Sequence, residues 1–362
     1  MKIRAAVSRA GSAPFVIEDV DLRDPRTDEI LVRLVATGIC HTDLTVKEMA
    51  GSAGAVVLGH EGAGVVERVG PDVHGVRPGD HVVLTFASCG SCDPCRAGGP
   101  SYCDRFAPLN SGGVLGPGDD TLSDAGGRIG GSFFGQSSFA THALTRSANT
   151  VVVPRTLDLT MAAPLGCGVQ TGVGAVRNVL RPGAASTLLI LGLGGVGLAA
   201  LMAAKAAGVE HVIAVDPVAS RREVARTLGA SLVLAPSDDL VAIVQDHTHG
   251  GASHALDTTA NTQVITQAFD ALAKRGQLVL VGLGMGELPI DGAQLMSGGR
   301  TIRGCIEGDA RPHDLIGELA SMHESGTLPL EAIVRHYPFD LINTAVDDMR
   351  SGATIKPVLL FG

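Results

Sequence analysis

The chain has 362 residues, 45% of them hydrophobic, and its 28 Lys and Arg against 37 Asp and Glu give a formal net charge of −9. At roughly 150 residues per domain, this length predicts two domains, each large enough to bury a core. The acidic residues are scattered, which argues against nucleic acid or an anionic membrane as a partner. The first twenty residues lack the apolar stretch of a secretory signal, so we expect a cytoplasmic protein whose thiols stay reduced.

Short β-rich segments dominate the beginning of the chain. "RAAVSRAG", "EILVRLVATG", "GAGVVERVG" and "DHVVLTF" are rich in apolar residues and are separated by Gly and Pro turns. Runs of this kind between turn residues are typical of strands. They predict a β-barrel-like domain.

Three isolated residues along the chain are of the kinds that bind zinc. Cys40 lies in "GICHTD", His60 precedes Glu61 in "LGHEGAG", and Cys167 lies in "PLGCGV". Each alone fits an ordinary role, since a lone Cys is usually a small buried hydrophobe. Together, two thiolates and one imidazole would leave a fourth zinc position for water or substrate, which is the arrangement of a catalytic zinc.

Four of the seven cysteines are crowded into the segment "CGSCDPCRAGGPSYC". Their spacing is C-x2-C-x2-C-x7-C, and they are Cys89, Cys92, Cys95 and Cys103. Disulfides are disfavoured in a reducing compartment, whereas four thiolates can close a tetrahedron around Zn2+ and hold a loop together without doing chemistry. The pattern favours structural zinc over an iron–sulfur cluster or a redox dithiol, which also use clustered cysteines.

The region after the cysteines is rich in glycine and phenylalanine. Residues 107–135 contain nine glycines, which predicts a long irregular loop. The segment "GSFFGQSSFATHA" then places Phe133, Phe134 and Phe139 within seven residues. Aromatic side chains next to a loop could line an apolar substrate slot, and core packing is the alternative for each of them.

A glycine-rich turn between an apolar strand and an Ala-rich helix begins the next region. In "LLILGLGGVGLAALMAAKAAGVEHVIAVD" the first strand leads into Gly192, Gly194 and Gly197, and a second strand ends at Asp216. The glycines would permit the tight turn, the approach of a pyrophosphate and close packing of helix on strand. The order of strand, G-x-G-x-x-G, helix, strand and acid predicts a dinucleotide site.

The same apolar segment has an alternative interpretation. Residues 188–204 contain only apolar side chains and glycine, which meets the lower limit of a membrane span. The clustered glycines, and Lys205 at the end of the run, favour the strand–turn–helix instead. Farther on, "ASHALDTTANTQVITQAFDALAKRGQLVLVGLGMG" predicts strand, helix and strand, and this alternation predicts a parallel, doubly wound α/β sheet.

These motifs, taken in order, resemble those of a known family. "GHEGAGVVERVGPDV" fits G-H-E-x2-G-x5-G-x2-V, and with the four-cysteine lobe (residues 85–105), "GICHTD" and "PLGCGVQTG" it closely resembles the zinc-containing alcohol dehydrogenases of the medium-chain dehydrogenase/reductase family. The resemblance implies a Rossmann-type sheet inserted into a β-rich, GroES-like catalytic domain. The implied limits are 1–165 for the catalytic domain, 166–303 for the NAD-binding domain and 304–362 for the return to the catalytic domain.

The resemblance also implies the site residues and two zinc ions per chain. Catalytic zinc is expected at Cys40, His60 and Cys167, and structural zinc at Cys89, Cys92, Cys95 and Cys103. The expected NAD contacts are His41, Thr171, Gly192, Gly194, Gly195, Val196, Gly197, Asp216, Arg221, Val281, Gly282 and Lys356. Cys305 matches no ligand position and is assigned a structural role.

Alcohol oxidation by hydride transfer to NAD is the activity that the resemblance implies. Thr42 is expected to relay the alcohol proton toward the cofactor ribose, Asp43 to orient the His60 ring, and Glu61 to lie behind the metal. Many members of the family carry a His three residues after this Thr, where the chain has Thr45. His41 likewise stands where the family often has Arg, and would bind phosphate less firmly.

The substrate is expected to be a primary alcohol with an aromatic or allylic group, because the Phe-rich segment and "GCIEGD" resemble the benzyl- and geraniol-type branch of the family. The alternatives are a formaldehyde dehydrogenase acting on a thiol adduct and a non-catalytic NAD- and zinc-binding relative. Asp216 predicts NAD over NADP, since a carboxylate there would repel a 2'-phosphate. A homodimer or homotetramer is expected.

Overall fold

A computed structural model of the chain describes residues 1–9, 13–50, 54–112, 121–284 and 286–362. The chain forms two compact units. The first comprises Met1–Cys167, Arg311–Glu324 and Val334–Gly362, and the second comprises Gly168–Ala310 and Ser325–Ile333. The segment 304–362, expected to return to the first domain as one piece, is thus shared between the units.

The first unit begins with short strands that are separated by turns. They are β1 (Lys2–Ser8), β2 (Val16–Leu22), β3 (Glu29–Gly38), β4 (Val56–Val57), β5 (Glu61–Val69), β6 (His81–Leu84), β7 (Leu122–Asp124), β8 (Gly127–Ile129), β9 (His142–Arg146) and β10 (Thr150–Val153). The helices of this part are α1 (His41–Ala50), α2 (Asp93–Arg96), α3 (Phe106–Asn110) and α4 (Leu159–Ala162). β1, β3 and β5 bury most of their side chains, as expected for apolar strands covered on both faces.

The second unit alternates strands with helices, as the sequence predicts. Its strands are β11 (Thr187–Leu191), β12 (His211–Val215), β13 (Leu232–Leu234), β14 (Ala252–Asp257), β15 (Leu272–Leu280) and β16 (Thr301–Gly304). Its helices are α5 (Gly168–Gly174), α6 (Gly195–Ala206), α7 (Ala219–Thr227), α8 (Leu240–Thr248), α9 (Thr262–Asp270) and α10 (Gly292–Gly298). The strands pair in parallel in the order β13-β12-β11-β14-β15-β16, which confirms the predicted doubly wound sheet.

The last part of the first unit adds α11 (Pro312–Glu324), β17 (Val334–Pro338), α12 (Ile342–Ser351) and β18 (Lys356–Leu360). β18 pairs antiparallel with β3, so one sheet runs β10-β6-β5-β3-β18-β17, with β9 also paired to β3. The other sheet of this unit runs β4-β1-β2-β7-β8. The first unit is therefore completed by residues that follow the main segment of the second unit, Gly168–Ala310, in the chain.

The predicted loop at 107–135 is wrong in part. α3 extends into its beginning, and β7 and β8 form an antiparallel hairpin within it, while residues 113–120 lie outside the described residues. Ala125 and Gly126 make the hairpin turn, where Asp124 Oδ1 accepts a hydrogen bond from Gly126 N at 2.7 Å. Asp and Gly are turn residues, so these glycines indicate a tight turn between strands rather than an irregular loop.

The apolar segment 188–204 is split between β11 and α6 by the glycine turn. Among the described residues, no single helix is long and apolar enough to cross a membrane, although the consecutive helical segments Leu159–Gly166 and Gly168–Leu180 together meet the criteria of length and composition.

Candidate metal and cofactor sites

One cluster of possible metal ligands lies deep in the first unit. The Sγ atoms of Cys40 and Cys167, a ring nitrogen of His60 and a carboxylate oxygen of Glu61 lie within 4.8 Å of one another. Cys40 links β3 to α1, His60 immediately precedes β5, and Cys167 follows a helical turn whose Gly166 carbonyl accepts a hydrogen bond from Thr85 Oγ1 at 2.7 Å. Residues far apart in sequence are thus held together by the sheet.

Asp43 fixes the imidazole of His60. Its Oδ1 lies 2.8 Å from His60 Nδ1, and both side chains are fully buried. The same carboxylate accepts hydrogen bonds from Gly59 N at 3.0 Å and from Cys40 N at 2.9 Å. Burial lowers the pKa of His60, but the Asp43 carboxylate and Cys40 outweigh it and raise that pKa well above its usual value. Asp43 therefore makes the ring a stronger electron-pair donor.

The second ring nitrogen of His60 faces the thiols. His60 Nε2 is buried and makes no hydrogen bond with any residue that the structure describes. The hydrogen bond from Cys167 lowers the pKa of Cys40 well below that of an ordinary thiol, against burial and with help from His60 and Lys356. A buried nitrogen lone pair beside two sulfurs, of which that of Cys40 ionises readily, is a donor set that fits Zn2+. Thr42 Oγ1 lies 3.7 Å from Cys40 Sγ.

Lys356, expected to contact the cofactor pyrophosphate, forms an ion pair with Glu61 instead. Its Nζ donates to both carboxylate oxygens of Glu61, at 2.8 and 3.0 Å, and to Ile39 O at 3.2 Å. The ammonium is buried and neutralised, so this geometry does not offer it to a pyrophosphate. Burial raises the pKa of Glu61 despite the opposing charge of Lys356.

An aromatic wall, formed by Phe86, Phe106, Phe133 and Phe134, adjoins the imidazole. Phe134 stacks on the His60 ring with centroids 4.5 Å apart and an interplanar angle of 28°. Phe133 meets the same ring edge-on at 5.5 Å, and Phe106 meets Phe134 at 6.1 Å. Of the three predicted aromatic residues, Phe139 packs in the core against Phe15, Phe133 belongs to the same buried cluster at 1% exposure, and Phe134 is partly buried.

The second candidate metal cluster is local in sequence. Cys89, Cys92, Cys95 and Cys103 bring their sulfurs within 4.8 Å of one another around α2 and the turn at Pro100–Tyr102. Cys89 Sγ accepts hydrogen bonds from Ser91 N at 3.5 Å and from Cys92 N at 3.3 Å. These donors, Ser91 first, lower the pKa of Cys89 to about 5. Four sulfurs close together, one already favoured as thiolate, fit a tetrahedral structural zinc.

The glycine turn has the shape that a dinucleotide needs. Gly192 has a φ of +90°, which side chains rarely tolerate, and a Cβ on Gly197 would collide with the Gly192 carbonyl. A Cβ on Gly194 would meet no atom within 4 Å, so open space lies beside its backbone at the start of α6. The amino end of this helix is therefore accessible to a phosphate.

Asp216 lies at the end of β12 and supports the same turn. Its Oδ2 accepts a hydrogen bond from Leu193 N at 2.7 Å, and its Oδ1 accepts one from Val218 N at 2.8 Å. Arg221 Nη1 lies 3.8 Å from Asp216 Oδ2. The carboxylate keeps free lone pairs, since an ionised carboxylate has about four acceptor positions.

The remaining predicted cofactor residues are distributed as follows. Gly195 and Val196 begin α6, and Val281 and Gly282 follow β15, all four partly buried. Thr171 lies in α5 and is buried, with Oγ1 3.4 Å from Glu307 Oε2. In the first unit, His41 begins α1 and is exposed.

Gln136, which sequence reasoning does not single out, holds the backbone near His60. Its Nε2 donates to His60 O at 2.9 Å and to Thr85 O at 3.2 Å, and its Oε1 accepts from Gly62 N at 3.0 Å. The residue is buried. A single Gln among serines has no diagnostic spacing, so only the fold shows this role.

A parallel sheet with a glycine turn for a dinucleotide, together with a unit that carries two clusters of soft metal ligands, defines a zinc-dependent dehydrogenase. Residues 26–155 match the family described as alcohol dehydrogenase GroES-like domain, and residues 195–324 match the family described as zinc-binding dehydrogenase. The chain belongs to the zinc-containing alcohol dehydrogenases of the medium-chain dehydrogenase/reductase family, and its cofactors are Zn2+ and NAD. The predicted family is confirmed.

Individual relatives extend over the whole chain. Geraniol dehydrogenase of Castellaniella defragrans is 43% identical over 363 residues, which cover 99% of this chain and 97% of that protein. The crystal structure of benzyl alcohol dehydrogenase from Acinetobacter calcoaceticus is 40% identical, covers 100% of both chains and has a TM-score of 0.94. S-(hydroxymethyl)glutathione dehydrogenase of Saccharomyces cerevisiae is less similar, at 31% identity over 99% of this chain and 96% of its own.

Proposed function

We propose that the protein oxidises primary alcohols with an aromatic or allylic group to aldehydes. The observation that carries the proposal is the aromatic wall, which places Phe134 and Phe133 directly against the His60 ring. The relatives named for geraniol and benzyl alcohol support the same substrate class. A thiol adduct would require cationic groups for its carboxylates, whereas Lys356, the ammonium beside these residues, is neutralised by Glu61.

Each residue of the site has an assigned role in this proposal. Cys40, His60 and Cys167 would hold the catalytic zinc, which would supply a Lewis acid that lowers the pKa of the alcohol. Asp43 keeps the Nε2 lone pair of His60 directed at the metal. The Thr42 hydroxyl would relay the alcohol proton, accepting it while it donates its own proton onward toward the cofactor ribose. Bound NAD+ would supply the acceptor for the hydride that leaves the carbinol carbon.

The structural zinc is assigned to Cys89, Cys92, Cys95 and Cys103. These four sulfurs lie in one short segment within 4.8 Å of one another, and they would occupy all four positions around a tetrahedral zinc. They leave no position for a substrate. Their role is therefore to hold the segment of residues 85–105 in shape.

A direct assay of NADH formation tests the substrate class. Benzyl alcohol and geraniol should exceed ethanol in kcat/KM by well over tenfold, which requires only ~1.4 kcal/mol of additional transition-state stabilisation. Burial of one ring against the aromatic wall supplies that much. Equal efficiency for ethanol and benzyl alcohol contradicts the assignment, turnover only of formaldehyde with glutathione supports the thiol-adduct alternative, and no turnover supports a non-catalytic relative.

The cofactor is proposed to be NAD in preference to NADP by at least a hundredfold in kcat/KM. Asp216 is buried beside the glycine turn, where a 2'-phosphate would add a second anion within a few ångströms. Asp216→Gly should reduce the ratio of kcat/KM for NAD to kcat/KM for NADP, chiefly by raising the value for NADP. Equal use of both cofactors by the unaltered enzyme, or an unchanged preference in the variant, contradicts the proposal.

A homo-oligomer is also proposed, through the open edge of the parallel sheet. β16 pairs only with β15 among the described strands, and the exposed apolar side chains Leu283, Met296 and Ile306 lie in the same unit, at 67%, 79% and 42% exposure. An unpaired edge with apolar residues favours association. The molar mass from light scattering should correspond to a dimer or tetramer, and Ile306→Lys should lower it toward that of a monomer. A monomeric unaltered enzyme contradicts the proposal.

A further inference from the structure

The turn that follows β16 has an unusual backbone. Glu307, Gly308 and Asp309 all have positive φ, at 51°, 71° and 48°. Two of them are not glycine, and left-handed backbone at such residues costs free energy unless the surroundings enforce it. Strain of this kind is retained where it places a group for function.

Several contacts within the second unit enforce this turn. A Cβ on Gly308 would collide with the Gln170 carbonyl, so the turn lies directly against α5. Asn178 Nδ2 donates to Gly308 O at 2.9 Å, and Arg303 pairs with Asp309 at 2.5 Å. The turn is therefore clamped to the helix at its middle residue and tied at its end.

The Glu307 carboxylate is the polar link between the turn and α5. Its Oε2 accepts a hydrogen bond from Gln170 Nε2 at 2.9 Å and lies 3.4 Å from Thr171 Oγ1. All three side chains are buried. A buried carboxylate costs free energy to desolvate. An uncharged side chain at this position would avoid that cost, so the carboxylate next to Thr171 indicates a functional role.

The order of the strands shows which half of the cofactor this link serves. The strand order reverses between β11 and β14, and a dinucleotide binds across such a reversal at the carboxyl ends of the strands. Asp216, at the end of β12, marks the adenosine side. The other half of the cofactor must then lie over the ends of β14, β15 and β16, where the turn at residues 307–309 is located.

We propose that Glu307 is a positioning residue for the nicotinamide half of NAD. It holds the Thr171 hydroxyl and the strained turn in the arrangement that binds the nicotinamide riboside, without itself reacting. The inference rests on the proposed dinucleotide site. Removing the carboxylate should therefore weaken the nicotinamide half of the site and leave the adenosine half unchanged.

Binding of NADH and of ADP-ribose, which lacks the nicotinamide, separates the two halves. Glu307→Ala should raise the Kd of NADH at least tenfold and change the Kd of ADP-ribose less than twofold. Glu307→Gln keeps an acceptor oxygen for Gln170 and Thr171, so it should restore NADH binding to within about threefold. The matched control is Glu210→Ala, an exposed glutamate just before the amino end of β12, which should alter neither Kd.

The outcomes distinguish this inference from the proposed function. If the unaltered enzyme binds neither ligand, the proposed dinucleotide site itself fails. If it binds both and Glu307→Ala binds NADH normally, only the role of Glu307 is overturned. Equal loss of NADH and ADP-ribose binding in Glu307→Ala would show a general structural role and would also overturn it.

Discussion

The two metal clusters of the first unit differ in how the chain builds them. Cys40, His60 and Cys167 come together from distant sequence positions between 40 and 167. The four clustered cysteines lie within fifteen residues, from 89 to 103. The first cluster depends on the fold, and the second depends mainly on its own loop.

The surroundings of the two clusters differ in the same way. A buried carboxylate contacts the His60 ring, and a buried ion pair adjoins it. At the other cluster, Cys89 is bound by nearby backbone N–H groups, and the neighbouring pair of Asp93 and Arg96 is exposed, with side chains at 91% and 62%. A reactive metal depends on residues that hydrogen-bond to its ligands and orient them. A structural metal needs only its four ligands.

Loss of a ligand from the buried cluster should give the largest effect. Cys167→Ser should reduce turnover to background while the protein remains folded and binds NADH, because the serine hydroxyl is a poor substitute for a thiolate on zinc. The zinc content found by metal analysis should fall from about two ions per chain to about one. Cys305→Ser, which alters a buried cysteine outside both clusters, should keep two; normal turnover in Cys167→Ser would show that the catalytic cluster is misassigned.

A change next to a ligand should have an intermediate effect. Asp43→Asn should lower kcat/KM or the zinc affinity of the buried cluster by about 10–100-fold, since the amide stabilises the His60 ring less well. Chelator competition and steady-state kinetics measure the two quantities. Asp93→Asn is the matched control beside the other cluster and should change each less than twofold. Similar losses of kcat/KM or zinc affinity in Asp43→Asn and Asp93→Asn would show that the two clusters do not differ in this respect.

The smallest effect on turnover is expected for Cys95→Ser. The folded fraction should keep near-normal turnover, but the loop loses its metal and the protein becomes less stable. A loss of about 3 kcal/mol corresponds to a fall in Tm of about 6–12 °C for a domain of this size. Thermal unfolding measures the Tm of the variant, and metal analysis measures its zinc content. Loss of one zinc ion with an unchanged Tm would show that the four-cysteine cluster does not stabilise the protein.

Features that depend on neighbours in sequence could be predicted well. The glycine turn from Gly192 and the acid at Asp216 follow one another within a single strand–helix–strand unit, so their spacing carries the information. The four clustered cysteines are equally local. The set of Cys40, His60 and Cys167 came from the order of motifs over the whole chain, because no local spacing links these residues.

Features that depend on distant partners cannot be predicted from local sequence. Nothing beside Lys356 in sequence indicates Glu61, its partner across the sheet. Phe139 and Phe134 are only five residues apart, yet one packs against Phe15 and the other against His60. Positive φ at Gly135 and Ser137 turns the chain between them, and composition does not reveal such a turn.

The ion pair of Glu61 and Lys356 also has a consequence for synthesis of the chain. The two residues are 295 positions apart, so at about 5–20 residues per second the ribosome adds the lysine roughly 15–60 s after the glutamate. During that interval the whole second unit is made, while Glu61 lacks the ammonium that neutralises it. The unit that starts first is therefore finished last, and a nascent chain can complete its nucleotide-binding sheet before the metal-binding region is able to close.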